Sequence, residues 1–235
     1  MVSKNLCIIP ARGGSKRIPR KNIKIFIDKP IIAYSIEAAL KSSIFEEVMV
    51  STDDNEIESI ALGYGASVPF KRSDSSSNDF ASTEDVILEV INQYEKIGIF
   101  FDYVCCLYPT APFVSSNRLI EAYNKLKSNN YNTLLPIVNF SYPILRALKL
   151  EKERLCMVWP ENEDVRSQDL ETYFHDSGQF YWIKCDEFRL KKKIFTENTG
   201  YIELSQIEVQ DIDNIDDWHL AEIKFEKYID KLGKS

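Results

Sequence analysis

A three-layer α/β/α fold on a mostly parallel, Rossmann-like sheet is what the sequence predicts. Short β-branched runs alternate with amphipathic helical stretches from residue 6 to residue 138, the pattern of strands joined by right-handed crossover helices. One of those runs, Tyr103–Leu107, is apolar enough for a central strand covered on both faces. At 235 residues the chain can bury a sizeable core. Residues 1–235 are therefore expected to form one domain, with residues 140–178 inserted as a smaller subregion.

The first strand is Leu6–Pro10, and a helix follows over Pro30–Lys41 with Ile32, Ile36 and Leu40 at helical spacing. Glu47–Ser51 reads as a strand, Asp54–Leu62 as a helix and Ser67–Phe70 as a brief strand. Ser73–Asn78 is polar and predicts a mobile loop near a site. A helix over Ser82–Ile97 is opened by Ser82 or Thr83, with Asp85 placed to complete a cap. Ser115–Ser128 is the next helix and Thr133–Val138 the next strand. Beyond residue 139 the pattern changes. Tyr142–Tyr173 is irregular and rich in Pro, Glu and Arg, and its pieces Leu145–Leu150 and Leu155–Trp159 read as hairpin strands. This flap is expected to pack outside its own sheet, on a partner subunit. The doubly wound pattern resumes at Gly178–Lys184 and ends in a strand near Ile207–Ile212. An amphipathic helix over Asp216–Leu232 closes the chain.

A formal net charge of −7 argues against non-specific binding to nucleic acid or to a membrane surface. The N-terminus lacks the apolar stretch of a signal peptide, and no run is long enough to span a bilayer. The five cysteines (Cys7, Cys105, Cys106, Cys156 and Cys185) show no C-x-x-C spacing and sit mostly in strand-like runs. They read as reduced core thiols of a cytoplasmic protein.

Against that acidic total, Ile8–Asn22 is densely basic. A short apolar strand runs into Gly13 and Gly14, and Arg12, Lys16, Arg17, Arg20 and Lys21 surround them with no acid before Asp28. The glycines are expected to admit close backbone approach and conformations closed to other residues. Exposed N–H groups with convergent cations suit a di- or triphosphate. The loop matches neither G-x-x-x-x-G-K-[ST] nor G-x-G-x-x-G, so it would bind phosphate by another pattern.

Ligands of an open parallel sheet sit beyond the carboxyl ends of its strands, which brings Ser51–Asp54 and Tyr108–Thr110 into view. Near the end of the chain, Asp211 and Asp213 are two residues apart. In extended backbone both carboxylates face one way and suit a Mg²⁺ ion that also holds phosphate oxygens; a cap cluster for the last helix is the blander alternative. Asp216 and Asp217 fit that capping role. His219 reads as structural. His175 belongs to Arg166–Tyr181, whose mixture of cation, amides, hydroxyls and carboxylates suits a polyhydroxylated or amidated ligand bearing a carboxylate, or a polar subunit contact.

These pieces together resemble the cytidylyltransferases that activate nonulosonic acids, the sialic-acid synthetase family. The resemblance is carried by I-P-A-R-G-G-S-K-R-I-P-R-K-N at Ile9–Asn22, K-P-I-I-A-Y-S-I-E-A-A at Lys29–Ala39 and V-S-T-D-D at Val50–Asp54. R-S-Q-D-L-E at Arg166–Glu171 and D-I-D at Asp211–Asp213 extend it across essentially the whole chain. Two departures, L-Y-P-T-A-P at Leu107–Pro112 and H-D-S-G-Q-F-Y-W at His175–Trp182, look like the pseudaminic-acid branch. There Tyr108 replaces a glutamine that contacts the base.

The resemblance implies a nucleotidyltransferase fold and the conversion of CTP and pseudaminic acid to CMP-pseudaminic acid and pyrophosphate. Legionaminate and acetylneuraminate are the alternative acceptors, and a nucleotide-binding regulator is the non-enzymatic one. It implies catalytic roles for Arg12, Lys16, Lys21, Asp211 and Asp213, the last two holding Mg²⁺. Nucleotide contacts would come from Ala11, Arg12, Gly13, Gly14, Ser15, Asn22, Ser82, Thr83 and Tyr108. Sugar contacts would come from Arg166, Gln168, Asp176, Gln179 and Tyr181, and the flap would pair two subunits into a homodimer, with Arg146 or Arg166 completing the neighbour's sugar site.

Overall fold

A computed structural model of the protein describes residues 3–77 and 81–232; Asn78, the end of the expected polar loop, lies outside the described residues. The chain opens with strand β1 (Asn5–Pro10), the basic loop and two short strands, β2 (Ile25–Phe26) and β3 (Lys29–Pro30), which pair with each other. Helix α1 (Ile31–Ser42), strand β4 (Glu47–Ser51) and helix α2 (Asn55–Gly63) follow. Next come one helical turn, α3 (Asp74–Ser77), helix α4 (Thr83–Lys96), strand β5 (Tyr103–Leu107), helix α5 (Ser116–Ser128) and strand β6 (Thr133–Asn139). A hairpin of β7 (Leu148–Glu151) and β8 (Arg154–Met157) then precedes β9 (Phe174–Asp176), β10 (Phe180–Lys184), α6 (Cys185–Lys191), β11 (Thr199–Glu203) and α7 (Ile215–Leu232).

The main sheet runs in the order β11-β6-β10-β5-β1-β4, with β9 also on β6. β4, β1, β5, β6 and β11 are mutually parallel, so the expected three-layer, mostly parallel fold is what forms. Alternation along β1 divides the core. Cys7 and Ile9 join α1, α2 and α5 on one face, while Leu6 and Ile8 join α4 and Phe188 of α6 on the other. A third cluster gathers Ile18 and Phe26 under Trp218 and Phe225 of α7. Local signals fix the helix starts. The Asp54 side chain accepts the N–H groups of Glu56 and Ile57 at the start of α2, and Ser82 and Asp85 form a reciprocal capping box at the start of α4.

Four expectations are corrected. Gly178–Lys184 contains a strand, but β10 runs antiparallel between β5 and β6 rather than continuing the parallel winding. The last strand is β11, not Ile207–Ile212, where Val209 and Ile212 are buried without pairing to a neighbouring strand. Ser67–Phe70 supplies a single bridge, Ser67 to Met49, and Asp74–Ser77 is a helical turn rather than a loop. The hairpin expected in the flap is present, shorter at both outer ends.

β9 and β10 lie on the same edge of β6, and Ser177–Gln179 bulges between them. Gly178 has φ 65, the left-handed region that favours glycine. The Gly178 N–H donates to Asp176 Oδ1 at 2.8 Å, and the Tyr108 N–H donates to the Gln179 carbonyl at 2.9 Å. The bulge is thereby held at the carboxyl rim of β5.

Candidate active site

A cleft of about 640 Å³ opens at that rim, beyond the ends of β1 and β5. Its basic wall is the loop after β1, which three anchors hold in place. Ile18 is buried against the α7 cluster. Arg20 leaves the cleft and binds Asp54 at 2.5 Å and 3.0 Å. Asn22 donates from Nδ2 to the Arg12 carbonyl at 3.0 Å. Arg20 adopts φ 56 to make its turn, and its guanidinium holds the Asp54 carboxyl well below the usual carboxylate range.

Neither Gly13 nor Gly14 takes a positive φ, which corrects the conformational reading of that pair. Gly13 is needed for room instead. A Cβ there would stand 2.7 Å from Asp54 Oδ2, while its N–H donates to Asp53 Oδ1 at 3.0 Å. Around Gly14 a Cβ would meet open space.

The opposite wall comes from residues 210–213, ahead of α7. Ile212 points into the core while Asp211 and Asp213 line the cleft. Lys21 joins the two walls. Its ammonium donates to the Ile212 carbonyl at 2.7 Å and stands 3.9 Å from Asp213 Oδ1. Arg17 approaches the other Asp213 oxygen at 2.8 Å. Burial pulls the Lys21 pKa down from its usual range, with the nearby acids opposing that shift. Burial, and then the charge of Asp213, push the Asp211 carboxyl up. Asp211 therefore sits where a further cation would relieve its charge.

Two carboxylates of hard oxygen are a donor set that fits Mg²⁺, which takes one or two protein carboxylates and fills its octahedron with phosphate and water. Among the described residues no group of three or more His, Cys, Asp or Glu is placed to hold a metal.

Of the residues singled out by sequence, Arg12, Ser15, Lys16, Lys21, Asn22, Tyr108, Gln179, Asp211 and Asp213 line this one cleft. The others stand apart from the lining. Ala11 is fully buried, its N–H given to the Ser51 carbonyl. The Ser82 hydroxyl is spent on its capping box. Thr83 meets the Tyr108 hydroxyl at 2.7 Å, behind the cleft. The Asp176 carboxylate accepts from the Tyr181 hydroxyl at 2.5 Å and from the Gly178 N–H. Arg166 is exposed on the flap with Asp169 at 2.7 Å, and Gln168 lies in the short turn between them. Arg146 donates to the Glu163 and Val165 carbonyls within the flap. Arg17 of the basic loop and Thr110 at the end of β5, noted in the sequence without an assigned contact, are also in the lining; Gln210 was passed over, and its adjacency to the acid pair was the available signal.

The chain is 44% identical over 223 residues to the pseudaminic acid cytidylyltransferase of Campylobacter jejuni, covering 94% of this chain and 96% of that protein. It is 34% identical over 226 residues to the CMP-N,N'-diacetyllegionaminic acid synthase of Legionella pneumophila, covering 92% and 94%. The fold matches the structure of a CMP:2-keto-3-deoxy-manno-octonic acid synthetase complexed with CTP. That match has a TM-score of 0.71, 18% identity, and coverage of 96% of this chain and 99% of that one. Residues 6–226 match the family model described as Cytidylyltransferase, and with the cation loop and acid pair meeting in one cleft, the chain belongs to the cytidylyltransferase family.

Proposed function

We propose that this nucleotidyltransferase moves the cytidylyl group of CTP onto pseudaminic acid and releases pyrophosphate. The observation that carries the reading is the meeting of Lys21 and Arg17 with Asp213 in a cleft that Asp211 also lines. One side of that cleft repels polyanions and the other attracts them, which suits a metal-bound triphosphate better than a bare one. The acceptor follows the Campylobacter jejuni relative, whose identity to this chain exceeds that of the Legionella pneumophila protein by ten percentage points (44% against 34%).

In this reading Arg12, Lys16 and Lys21 hold the phosphates and the departing pyrophosphate. The acceptor's anomeric hydroxyl attacks the α-phosphorus in line with the breaking bond. Catalysis then consists mainly of positioning and charge neutralisation. Asp211 and Asp213 would hold Mg²⁺, which when bound supplies Lewis acidity to the phosphate oxygens. Ser15 and Asn22 would serve the nucleotide, with Thr83 held behind the cleft through Tyr108, and Gly178 and Gln179 would serve the acceptor. Arg166 and Gln168 of the flap are not among the lining of this cleft, and would serve the site of a second copy. The hairpin supports that pairing: Leu148, Leu150 and Leu155 are all exposed.

Among the described residues no helix is long and apolar enough to cross a membrane. Buried free thiols at Cys7, Cys105, Cys106 and Cys185 support a reducing, cytoplasmic setting. The test is pyrophosphate release from CTP with pseudaminic, legionaminic and acetylneuraminic acids. Fastest turnover with pseudaminate is expected; turnover with none of them would end the proposal.

A further inference from the structure

Tyr108 is gripped at three points. Its N–H donates to the Gln179 carbonyl at 2.9 Å, its carbonyl accepts from Ser35 Oγ at 2.8 Å, and its hydroxyl meets Thr83 Oγ1 at 2.7 Å. Its ring stands edge-on to Tyr181, centroids 5.7 Å apart at 83°. The Tyr181 hydroxyl in turn donates to Asp176 Oδ2 at 2.5 Å, and the other Asp176 oxygen accepts the Gly178 N–H at 2.8 Å. Contacts therefore run from Thr83 in the first turn of α4, through the hydroxyl and ring of Tyr108 and the ring and hydroxyl of Tyr181, to Asp176 and the Gly178 bulge. Tyr108, Gly178 and Gln179 line the cleft; Thr83, Tyr181 and Asp176 stand behind it.

We infer that the Tyr108–Tyr181 pair is a strut, tied to Thr83 at one end and to Asp176 at the other, that positions the Ser177–Gln179 bulge to receive the acceptor sugar. The inference rests on the reaction proposed above and assigns Asp176 and Tyr181 a positioning role rather than contact with the sugar. Each Asp176 oxygen accepts a bond from within the chain, one from the Tyr181 hydroxyl and one from the bulge itself, and Asp176 stands outside the cleft lining. Burial explains why the strut holds. A hydrogen bond shielded from water is not readily exchanged for one to solvent, and a bulge with a left-handed glycine needs such fixing. Burial also pushes the Tyr108 hydroxyl up to about 12, so it stays protonated across the working range. Gln179 is held from the far side as well, its Nε2 donating to the Glu208 carbonyl at 2.6 Å.

Tyr181→Phe removes the hydroxyl and keeps the ring. With CTP and pseudaminate varied separately, the acceptor KM should rise about tenfold while kcat and the CTP KM stay within about twofold. Asp176→Ala should do the same, and Asp176→Asn, which keeps one carbonyl acceptor, should recover part of the loss. Amide hydrogen exchange in the free protein reads the strut without turnover, and Gly178 should exchange faster in Tyr181→Phe. An unchanged acceptor KM, or equal rises in both KM values, overturns the strut, as does unaltered exchange at Gly178. If wild type releases no pyrophosphate with any acid yet Gly178 exchange quickens in the variant, the strut stands and the proposed reaction falls.

Discussion

Lys21 is a half-buried ammonium whose environment works against its charge, since burial lowers its pKa while Asp213 and Asp211 oppose the shift. Such a group gains by meeting phosphate, so Lys21→Ala should cut kcat/KM for CTP at least about 100-fold with little change in Tm. Near-normal turnover would remove it from the mechanism. Asp213→Asn should raise the Mg²⁺ concentration for half-maximal rate at least about tenfold, measured by metal titration at saturating CTP. Asp54 is the structural counterpart. Its folded pKa lies below the ordinary value, so its contribution is present above about pH 4 and is lost as pH falls further. Urea unfolding should show Asp54→Asn about 1–2 kcal/mol less stable than wild type at pH 7, with the gap narrowing at pH 3. At this scale, residue types were legible and duties were not. Arg17 and Arg20 sit three apart in one basic loop, yet one faces Asp213 across the cleft and the other clamps a helix start. Side-chain direction in an irregular loop depends on partners 34 and 196 residues away in sequence, which no local pattern encodes.

Among elements, helices with caps and strands with β-branched runs were readable, since capping and alternation are local. The direction of β10 was not. A strand covered on both faces is apolar throughout whichever way it runs, and Phe180–Ile183 is buried throughout. The segment before α7 misled for a related reason: Val209 and Ile212 bury themselves as strand residues would, without a neighbouring strand. The bulge between β9 and β10 is the element whose geometry is most demanding. Gly178→Ala should cost about 1–2 kcal/mol, because a Cβ is disfavoured at its φ of 65. Thermal unfolding should register that loss, and the acceptor KM should rise with it. An unchanged Tm would mean that the turn tolerates a side chain and that its shape is not fixed by glycine.

For the molecule as a whole, the acidic total and the basic cleft are separate facts, and the first makes the second selective. A polyanion approaching elsewhere meets a net charge of −7, which favours small phosphate ligands at the cleft over nucleic acid. The flap makes a different demand. Leu150 and Leu155 are 76% and 68% exposed on the hairpin, an arrangement that suits burial against a second copy. Leu150→Asp with Leu155→Asp should therefore convert a dimer to a monomer in sedimentation experiments while leaving the sheet folded. A wild-type chain that sediments as a monomer at micromolar concentration would refute the pairing.

Asn139 of β6 pairs directly with Phe174 of β9, so everything between them leaves and re-enters the sheet through one narrow neck. A stitched neck insulates the rest of the fold from whatever hangs beyond it. Evolution can lengthen, trim or trade that excursion without unpicking the strands beneath, while any tug on it is delivered along β9 to Asp176 and the bulge that lines the cleft.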